Sequence, residues 1–460
     1  MQVVGSYGVR IRDSHDALKR TADLFSDAVA HLVRPALENW DALCEAGGAQ
    51  MRQRMLERMI HSAKGFSSSD AFDQKFPKFP SYYRRAAIMQ ALGIVSAYQS
   101  SLKNWKANGC TGEPPKLDSC KHRMPALYRG NTYKPVIDEQ TGKVMPYAAK
   151  IKVLRNNDWV WNTVRLSKTD VDYLDKRGRN GDISAPVLEK KHGCWKLRFA
   201  VTETVELSAK PVSEQKICAV DLGIRTDAVC SIMDSKGTVL ARKFIMRGRE
   251  KDSLSNALHR VSVFQPLHGS HDSGRLWNIA KRRNRNLAHQ IAREIVNFAI
   301  ANECDAIVME HLDTKGRKRG SKKQKLAMWK HADIQKTVES LAHHYGIRIS
   351  RVNAWGTSRL AYDGTGRVKR GREVSEDTPY DVCVFKSGKI YNCDLSASYN
   401  IGARYFIRGL LMESPDLMTK VSGIGSGTQR TLADLWKINR VLYPLLPAAV
   451  RRSRHKSEKR

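Results

Sequence analysis

The chain has 460 residues, enough for two or three domains with sizeable cores. Its 79 Lys and Arg residues outnumber its 46 Asp and Glu residues, and the resulting net charge of +33 predicts a polyanionic partner such as nucleic acid. The nine Cys residues are scattered without a CxxC pair, which argues against a disulfide scaffold and a simple zinc finger. The N-terminus lacks the features of a signal peptide, and no apolar run could span a bilayer. We therefore expect a reduced, intracellular nucleic-acid-binding protein.

The first 110 residues are predicted to be mainly helical after one short strand at residues 2–11. Apolar residues then recur at helical spacing after a capping Asp13 or Ser14, and further helices are expected at 51–61 and 81–105. The last of these helices carries Arg84 and Arg85, which are candidate nucleic-acid contacts. The aromatic–proline run 76–80 could stack on bases, but a packed loop between helices is the favoured interpretation.

The pattern becomes strand-like from residue 111 to residue 212. Runs of β-branched and aromatic residues separated by turn signals predict strands at 147–154, 158–166, 186–191 and 194–201. Residues 195–199 alternate apolar and basic side chains, which suits a sheet with one polyanion-facing side, although an ordinary solvated face explains any single Lys equally well. We predict a small β-barrel-like domain here, with residues 2–11 as a candidate first strand.

A short buried strand at 217–220 ends in Asp221. A carboxylate is costly to bury unless a cation or several donors satisfy it, and Gly223 allows a tight turn or a close backbone approach. Apolar runs at 228–233 and 238–245 complete a predicted β-meander. A turn-capping Asp explains this stretch alone equally well.

A second acid, Glu310, ends another short buried strand. The helical stretch before it, at 276–300, has a basic face with Arg282 and Arg283 as candidate nucleic-acid contacts. The segment after it packs seven Lys and Arg into residues 315–325 without apolar periodicity, and is predicted to be a mobile basic loop that guides single-stranded DNA. The candidate contacts in that segment are Lys315, Arg317, Lys318, Arg319, Lys322 and Lys323.

A third acid, Asp394, opens a predicted helix, where a carboxylate also has a purely structural role as a cap. Three isolated acids in a basic protein nevertheless suit one cluster of oxygen ligands for hard divalent cations such as Mg²⁺. Two such ions about 4 Å apart activate water and stabilise the leaving oxygen of a phosphodiester.

The ordered set of motifs resembles the RuvC motifs of TnpB nucleases and compact type V CRISPR effectors. The matching residues are Asp-Leu-Gly at 221–223, Glu-His-Leu at 310–312 and Asp-Leu-Ser-Ala-Ser-Tyr-Asn-Ile at 394–401. Residues 285–296 and Thr357-Ser358 also resemble that family. The resemblance implies that Asp221, Glu310 and Asp394 are the catalytic residues and hold two Mg²⁺ ions, for which Mn²⁺ can substitute.

The resemblance also implies a multidomain α+β fold with a C-terminal RNase H-like RuvC α/β domain. The expected parts are a first wedge strand at 1–12, a helical recognition domain at 13–110, a β-barrel wedge domain at 111–212, the nuclease domain at 213–410 and a C-terminal extension at 411–460. Nothing in the last fifty residues matches a usable pattern, and their basic tail at 451–460 is expected to make only loose phosphate contacts.

The chain departs from the family where a four-Cys zinc ribbon is usual. Only Cys383 and Cys393 remain at 354–393, and residues 361–364 replace the first Cys pair. We expect no structural zinc, because such a site needs four ligands. A hairpin closed through residues 386–388 is expected to replace the metal.

The sequence therefore predicts an RNA-guided, Mg²⁺-dependent DNA endonuclease in the prokaryotic cytoplasm, with guide RNA and target double-stranded DNA as partners and a monomer favoured. A guide-bound repressor that does not cut is disfavoured by the three intact acids. A RuvC-like nuclease or transposase-associated protein acting without RNA is disfavoured by the long N-terminal part.

Overall fold

The computed structural model describes residues 1–62, 72–191, 193–269, 272–312, 329–421 and 423–443. The chain divides into two compact units, an N-terminal unit of residues 2–204 and a C-terminal unit of residues 205–460 that also includes Met1. Helices and strands occur in both units, so the expected mixed α+β, multidomain class is confirmed. No helix in these described ranges is long and apolar enough to cross a membrane.

The N-terminal unit is built around two long helices, α1 and α5, which pack against each other. Leu18, Phe25 and Leu32 form the apolar stripe predicted for α1, and all three are fully buried. Helix α6 has only Val171 and Leu174 buried, a pattern too weak for the sequence analysis to predict it. The helices of this unit are α1 (His15–Glu38), α2 (Trp40–Glu45), α3 (Ala49–Ile60), α4 (Phe72–Lys75), α5 (Ser81–Ala107) and α6 (Lys168–Gly178).

The aromatic–proline run packs inside this helical layer. Phe76 and Phe79 are buried, and their ring centroids lie 4.9 Å and 5.7 Å from that of Phe72. The interpretation as a packed loop is therefore confirmed, because these rings are already occupied by one another.

The expected β-barrel is not seen among the described residues, in which the strands of the N-terminal unit form two sheets. In one sheet β7 pairs with β1 along one edge, while β5 and β6 share its other edge; the second sheet has the order β2-β3-β4. Isolated bridges such as Ile11–Leu166 join strand ends, whereas a barrel requires a continuous, closed hydrogen-bond ladder. The strands are β1 (Gln2–Arg10), β2 (Tyr133–Ile137), β3 (Val144–Arg155), β4 (Asp158–Arg165), β5 (Gly181–Ile183), β6 (Val187–Lys191) and β7 (Cys194–Thr204).

A five-stranded sheet of order β10-β9-β8-β11-β12 forms the centre of the C-terminal unit. Its first three strands are the predicted antiparallel meander, and β11 pairs in parallel with both β8 and β12. The strands are β8 (Lys216–Asp221), β9 (Ala228–Asp234), β10 (Val239–Ile245), β11 (Ala306–His311) and β12 (Arg348–Asn353).

Helices cover both faces of this sheet, as the side chains of β8 illustrate. Cys218 and Val220 face a core with α7, α8 and α9, whereas Ile217 and Ala219 face a core with α10 and α12. Gly402 of α10 allows close packing, since a Cβ there would lie 2.5 Å from the sulfur of Met233. The described helices are α7 (Gly248–His268), α8 (Gly274–Ala301), α9 (His331–His343), α10 (Cys393–Glu413), α11 (Leu417–Lys420) and α12 (Leu432–Leu442).

A small three-stranded sheet lies between β12 and α10 in the chain. It consists of β13 (Lys369–Arg370), β14 (Val382–Val384) and β15 (Ile390–Asn392), in the order β13-β14-β15. The pairing of β14 with β15 confirms the hairpin predicted through residues 386–388. Short 3₁₀ turns cover Val212–Glu214, Gly371–Glu373 and Gly427–Gln429.

Candidate active site

The fold brings the three predicted acids to one end of the central sheet. Asp221 is the last residue of β8, and Glu310 follows Met309, which pairs with Val220 in the neighbouring parallel strand. Asp394 lies in the first turn of α10, and its Oδ2 is 3.9 Å from where a Cβ of Gly223 would lie. The backbone at Gly223 therefore lies beside the third acid, and the residue must be Gly because a Cβ there would lie 2.5 Å from the Thr226 carbonyl oxygen.

The three carboxyl groups share a poorly hydrated environment. Asp221 is 9% exposed and Glu310 8% exposed, while Asp394 is half-buried. Burial, followed by the charges of Glu310 and Asp394, raises the pKa of Asp221 well above its usual range. Burial also raises the pKa of Glu310 and of Asp394. The cluster thus concentrates negative charge that the surrounding protein compensates only partly.

Hydrogen bonds hold two of these carboxyl groups in place. The Thr357 hydroxyl donates to Oε1 of Glu310, and Thr226 donates to Asp394. The Gln335 side chain donates to the backbone carbonyl of Glu310 at 2.8 Å, which fixes the end of β11 to α9. Thr226 and Gln335 were not singled out from the sequence, because neither belongs to a recognisable motif.

The segment between β12 and α10 places the positively charged Arg370 near the acids. The Arg370 guanidinium acts to lower the pKa of both Asp221 and Asp394, although burial outweighs it in each case. Arg370 also lines a cavity of about 480 Å³ together with Arg359, Arg367 and Arg372. Arg367 pairs with a carboxylate at 2.8 Å, while the other three arginines have no ion pair among the described residues. This arginine-lined cavity suits an anion such as a phosphodiester.

The donor set suits a hard divalent cation, because all three acids supply oxygen and their mutual repulsion would be relieved by added positive charge. In the described ranges, no three His, Cys, Asp or Glu side chains lie close enough together to hold a metal ion. Asp221, Glu310 and Asp394 are therefore neighbours with the right chemistry rather than a closed ligand shell.

The predicted nucleic-acid contacts occupy different environments. Arg84 is only 7% exposed and pairs with Glu57 at 3.2 Å, so its guanidinium is occupied within the protein and is not available to nucleic acid. Arg85 also pairs with Glu57 but is more exposed, and Arg282 and Arg283 are exposed on α8. The six basic candidates between Lys315 and Lys323 lie outside the described residues, as does the basic tail.

The two cysteines of the expected zinc-ribbon region are buried together. Cys383 and Cys393 form a small apolar cluster with Ala361, Val368 and Phe385, and their thiols donate to the backbone carbonyls of Tyr391 at 3.4 Å and Ser358 at 3.6 Å. The neighbouring Cys383 thiol and burial raise the pKa of Cys393, which favours its neutral form. Side-chain packing and strand pairing thus occupy the region in which the family usually has a zinc ribbon.

Comparison with known proteins gives relatives in both sequence and structure. Residues 6–155, about a third of the chain, match a profile described as the Aq_aa04 family. A CRISPR-associated endodeoxyribonuclease Cas12f1 from an uncultured archaeon is 25% identical over 250 residues, which cover 48% of this chain and 46% of that protein. The match therefore spans less than half the length of this curated relative.

Solved structures give a second comparison. The mini-RNA-guided endonuclease CRISPR-Cas_phi3 has a TM-score of 0.51 and 12% identity, covering 89% of this chain and 93% of that one. A Cas12f1–sgRNA–target DNA complex has a TM-score of 0.34 and 16% identity, covering 87% and 99%. The resemblance found in the sequence motifs is thus confirmed: a compact type V CRISPR effector is a relative of this chain by sequence, and the fold is similar to that of the mini-RNA-guided endonuclease CRISPR-Cas_phi3.

Proposed function

We propose that this protein is an RNA-guided DNA endonuclease. It binds a guide RNA, recognises a short flanking duplex motif in double-stranded DNA, forms an R-loop and hydrolyses DNA phosphodiesters. In enzymes of this class base pairing reads most of the target, while the protein holds the heteroduplex through its shape and backbone. In this proposal residues 213–410 are an RNase H-like RuvC domain, and the recognition and wedge segments precede it.

The main support for the proposal is the proximity of Asp221, Glu310 and Asp394 at one end of the central sheet. These acids come from three separate segments, and nothing in ordinary packing requires three nearly buried carboxyl groups to be neighbours in so basic a protein. The 25% sequence identity with a Cas12f1 endodeoxyribonuclease supports phosphodiester hydrolysis as the reaction.

Each residue of the site has a proposed role. Asp221, Glu310 and Asp394 hold two Mg²⁺ ions, which when bound make water a better nucleophile and stabilise the leaving oxygen. Arg370, on the edge of the arginine-lined cavity, attracts the phosphodiester towards the acids. Arg85, Arg282 and Arg283, with the basic run of residues 315–325, are proposed contacts to the nucleic-acid backbone.

Analysis of the RNA that co-purifies with the protein distinguishes the alternative functions. A RuvC-like nuclease that acts without RNA would carry no discrete RNA species, whereas a guided nuclease and a guided repressor would both carry one. Sequencing that RNA would also distinguish a transposon-encoded guide from a CRISPR-derived one. Cleavage of a matched target then separates the nuclease from the repressor.

We expect replacement of any one of Asp221, Glu310 and Asp394 by Ala to abolish Mg²⁺-dependent cleavage. Guided DNA binding should remain nearly intact, because it depends on phosphate contacts spread over the chain. Both activities are measured on the same substrate. Asp252→Ala, which removes an exposed carboxylate of α7 in the same unit, should cut like the parent. Full cleavage by Asp394→Ala would remove that residue from the site and contradict the motif assignment.

A further inference from the structure

Two buried polar side chains of α10 lie one helical turn apart on the face that α10 turns towards the loop after β12. Asn400 is completely buried and Arg404 is 5% exposed. Buried polar groups destabilise a fold unless their hydrogen bonds are satisfied. The hydrogen-bond partners of these two side chains therefore show which segments of the chain they connect.

Asn400 joins two segments that are distant in sequence. Its Nδ2 donates to the backbone carbonyls of Thr357 at 3.1 Å and Leu360 at 2.8 Å. Its Oδ1 accepts from the backbone N–H of Leu432, the first residue of α12, at 3.3 Å. The loop after β12 is thereby tied to the start of α12, which belongs to the C-terminal extension.

Arg404 joins the same two segments through four carbonyls. Its guanidinium donates to Asn353 at 2.7 Å and Trp355 at 2.9 Å, both at the start of the loop. It also donates to Thr428 and, at 3.1 Å, to Arg430, both in the extension. A planar guanidinium with five donors in fixed directions is suited to such a junction, and a Lys could not reproduce it.

The loop held in this way carries Thr357, whose hydroxyl donates to the Glu310 carboxylate. Thr357 is buried, and its hydroxyl has an alternative acceptor in the Ala354 carbonyl at 3.0 Å. Both acceptors lie within reach of this hydroxyl in the observed loop conformation, and a displaced loop would carry the donor away from Glu310. The position of the loop therefore sets the orientation of the second acid.

We propose that the C-terminal extension, through Arg404, Asn400 and Thr357, positions the Glu310 carboxylate for metal binding. This inference rests on the proposed function, because it assigns positioning residues to the proposed nuclease site. It gives the C-terminal extension, which matches no motif of the nuclease, an indirect part in the reaction, because the extension holds the residues that position Glu310. Residues that orient a metal-ligating carboxylate typically change metal affinity or activity by about 10- to 100-fold when replaced.

The test compares Thr357→Val, Thr357→Ser and Arg404→Lys in the full-length protein. Thr357→Val removes the hydroxyl at nearly constant volume, and Thr357→Ser keeps it. Mn²⁺ binding is measured by calorimetry on protein free of nucleic acid, and the Mg²⁺ concentration that gives half-maximal cleavage is measured on matched target. We expect Thr357→Val and Arg404→Lys each to weaken metal binding about 10-fold or more, and Thr357→Ser to retain most of it.

The effects should also be coupled. Since both residues act on Glu310 through one loop, the double variant Thr357→Val/Arg404→Lys should lose less than the product of the single losses. The matched control is Thr337→Val, whose hydroxyl donates to a backbone carbonyl within α9, and it should leave the metal dependence unchanged.

Unchanged metal binding in Thr357→Val would overturn the inference. Equal losses in Thr357→Val and Thr357→Ser, or fully multiplicative losses in the double variant, would also overturn it. If Arg404→Lys does not fold, the comparison of the two Thr357 variants decides alone. A parent protein that binds Mn²⁺ at the three acids but cuts no DNA would contradict the proposed function and leave the positioning role to be judged from calorimetry.

Discussion

At the scale of single residues, the C-terminal unit depends on buried polar groups whose hydrogen bonds are satisfied. Asp305, which precedes β11, accepts hydrogen bonds from the Lys216 amide at 2.9 Å and the Ser208 hydroxyl at 2.8 Å, and pairs with Lys210 at 2.9 Å. It joins the segment before β8 to the start of β11. The two strands that end in Asp221 and Glu310 are thus tied together at their opposite ends as well.

We predict that Asp305→Asn lowers the free energy of unfolding by about 2 kcal/mol at neutral pH, the usual range for hydrogen bonds to a charged group. Burial by itself raises the pKa of Asp305, but its hydrogen bonds and the charge of Lys210 bring that pKa below the usual value. A group with a lowered folded-state pKa stabilises the protein above its unfolded pKa of about 3.9 and loses this effect as the pH falls through the folded value.

The difference in stability between parent and Asp305→Asn should therefore be largest at neutral pH and shrink below about pH 4. Urea unfolding at a series of pH values measures it. The exposed Asp252→Asn on α7 serves as the matched control and should show no comparable loss. A difference that stays constant down to pH 3 would mean that the Asp305 charge contributes nothing.

At the scale of elements, the β14–β15 hairpin combines strand pairing with a small apolar cluster in the region where a zinc ribbon is usual in the family. The hairpin leads directly into α10, because Asn392 is the last residue of β15 and caps the helix by accepting from the Leu395 amide at 2.9 Å. Strand pairing and helix capping therefore position Asp394 near the other two acids. The same segment carries Arg370, so one small sheet positions an acid and a cation.

We predict that the double variant Cys383→Ser/Cys393→Ser keeps cleavage within a few-fold of the parent. Its stability should fall by about 1–3 kcal/mol, the cost of placing hydroxyl groups in an apolar cluster. Cleavage, thermal unfolding and zinc content are measured together. Cys218→Ser/Cys230→Ser, which alters two other fully buried cysteines on the adjacent strands β8 and β9, is the matched control.

One zinc per parent chain, lost together with activity in the Cys383/Cys393 variant and not in the control, would show that the hairpin is a metal site after all. The expected absence of structural zinc stays a prediction until this measurement is made.

At the scale of the whole molecule, the main feature is the net charge of +33. A chain with this excess of Lys and Arg repels itself, and a polyanion relieves the repulsion by replacing counterions. The charge is spread over both units. If many phosphate contacts hold the nucleic acid and the three acids cut it, as proposed, binding and cutting should be separable.

We predict that guided binding to target DNA weakens by about 10³-fold or more between 50 and 200 mM salt, as expected for six or more phosphate contacts. Arg282→Gln/Arg283→Gln should make the slope of log affinity against log salt less steep by up to about two, since each lost phosphate contact contributes about one. Lys19→Gln, on α1 and paired with Asp23, is the control. Binding that barely changes with salt would contradict recognition through the backbone.

Local patterns in the sequence determined the elements that carry the acids. The buried runs before Asp221 and Glu310, the meander and the hairpin before Asp394 depend on hydrophobic periodicity and turn residues within about ten positions, and the structure contains all of them. The motif order was likewise enough to identify the relatives. The catalytic and metal-binding roles of the three acids and the domain boundaries stay predictions.

Only the tertiary structure decided which side chains surround the acids. The contacts of Arg404 and Asn400 join segments 24 to 51 residues apart in the chain, and no local pattern encodes such pairings. The strands of the N-terminal unit show the same limit, because alternation predicts a strand but not its neighbour, and the described strands form two sheets in which the predicted barrel is not seen. Strand partners and buried polar junctions depend on how distant segments pack, which is why a positioning role for the C-terminal extension could be proposed only from its contacts.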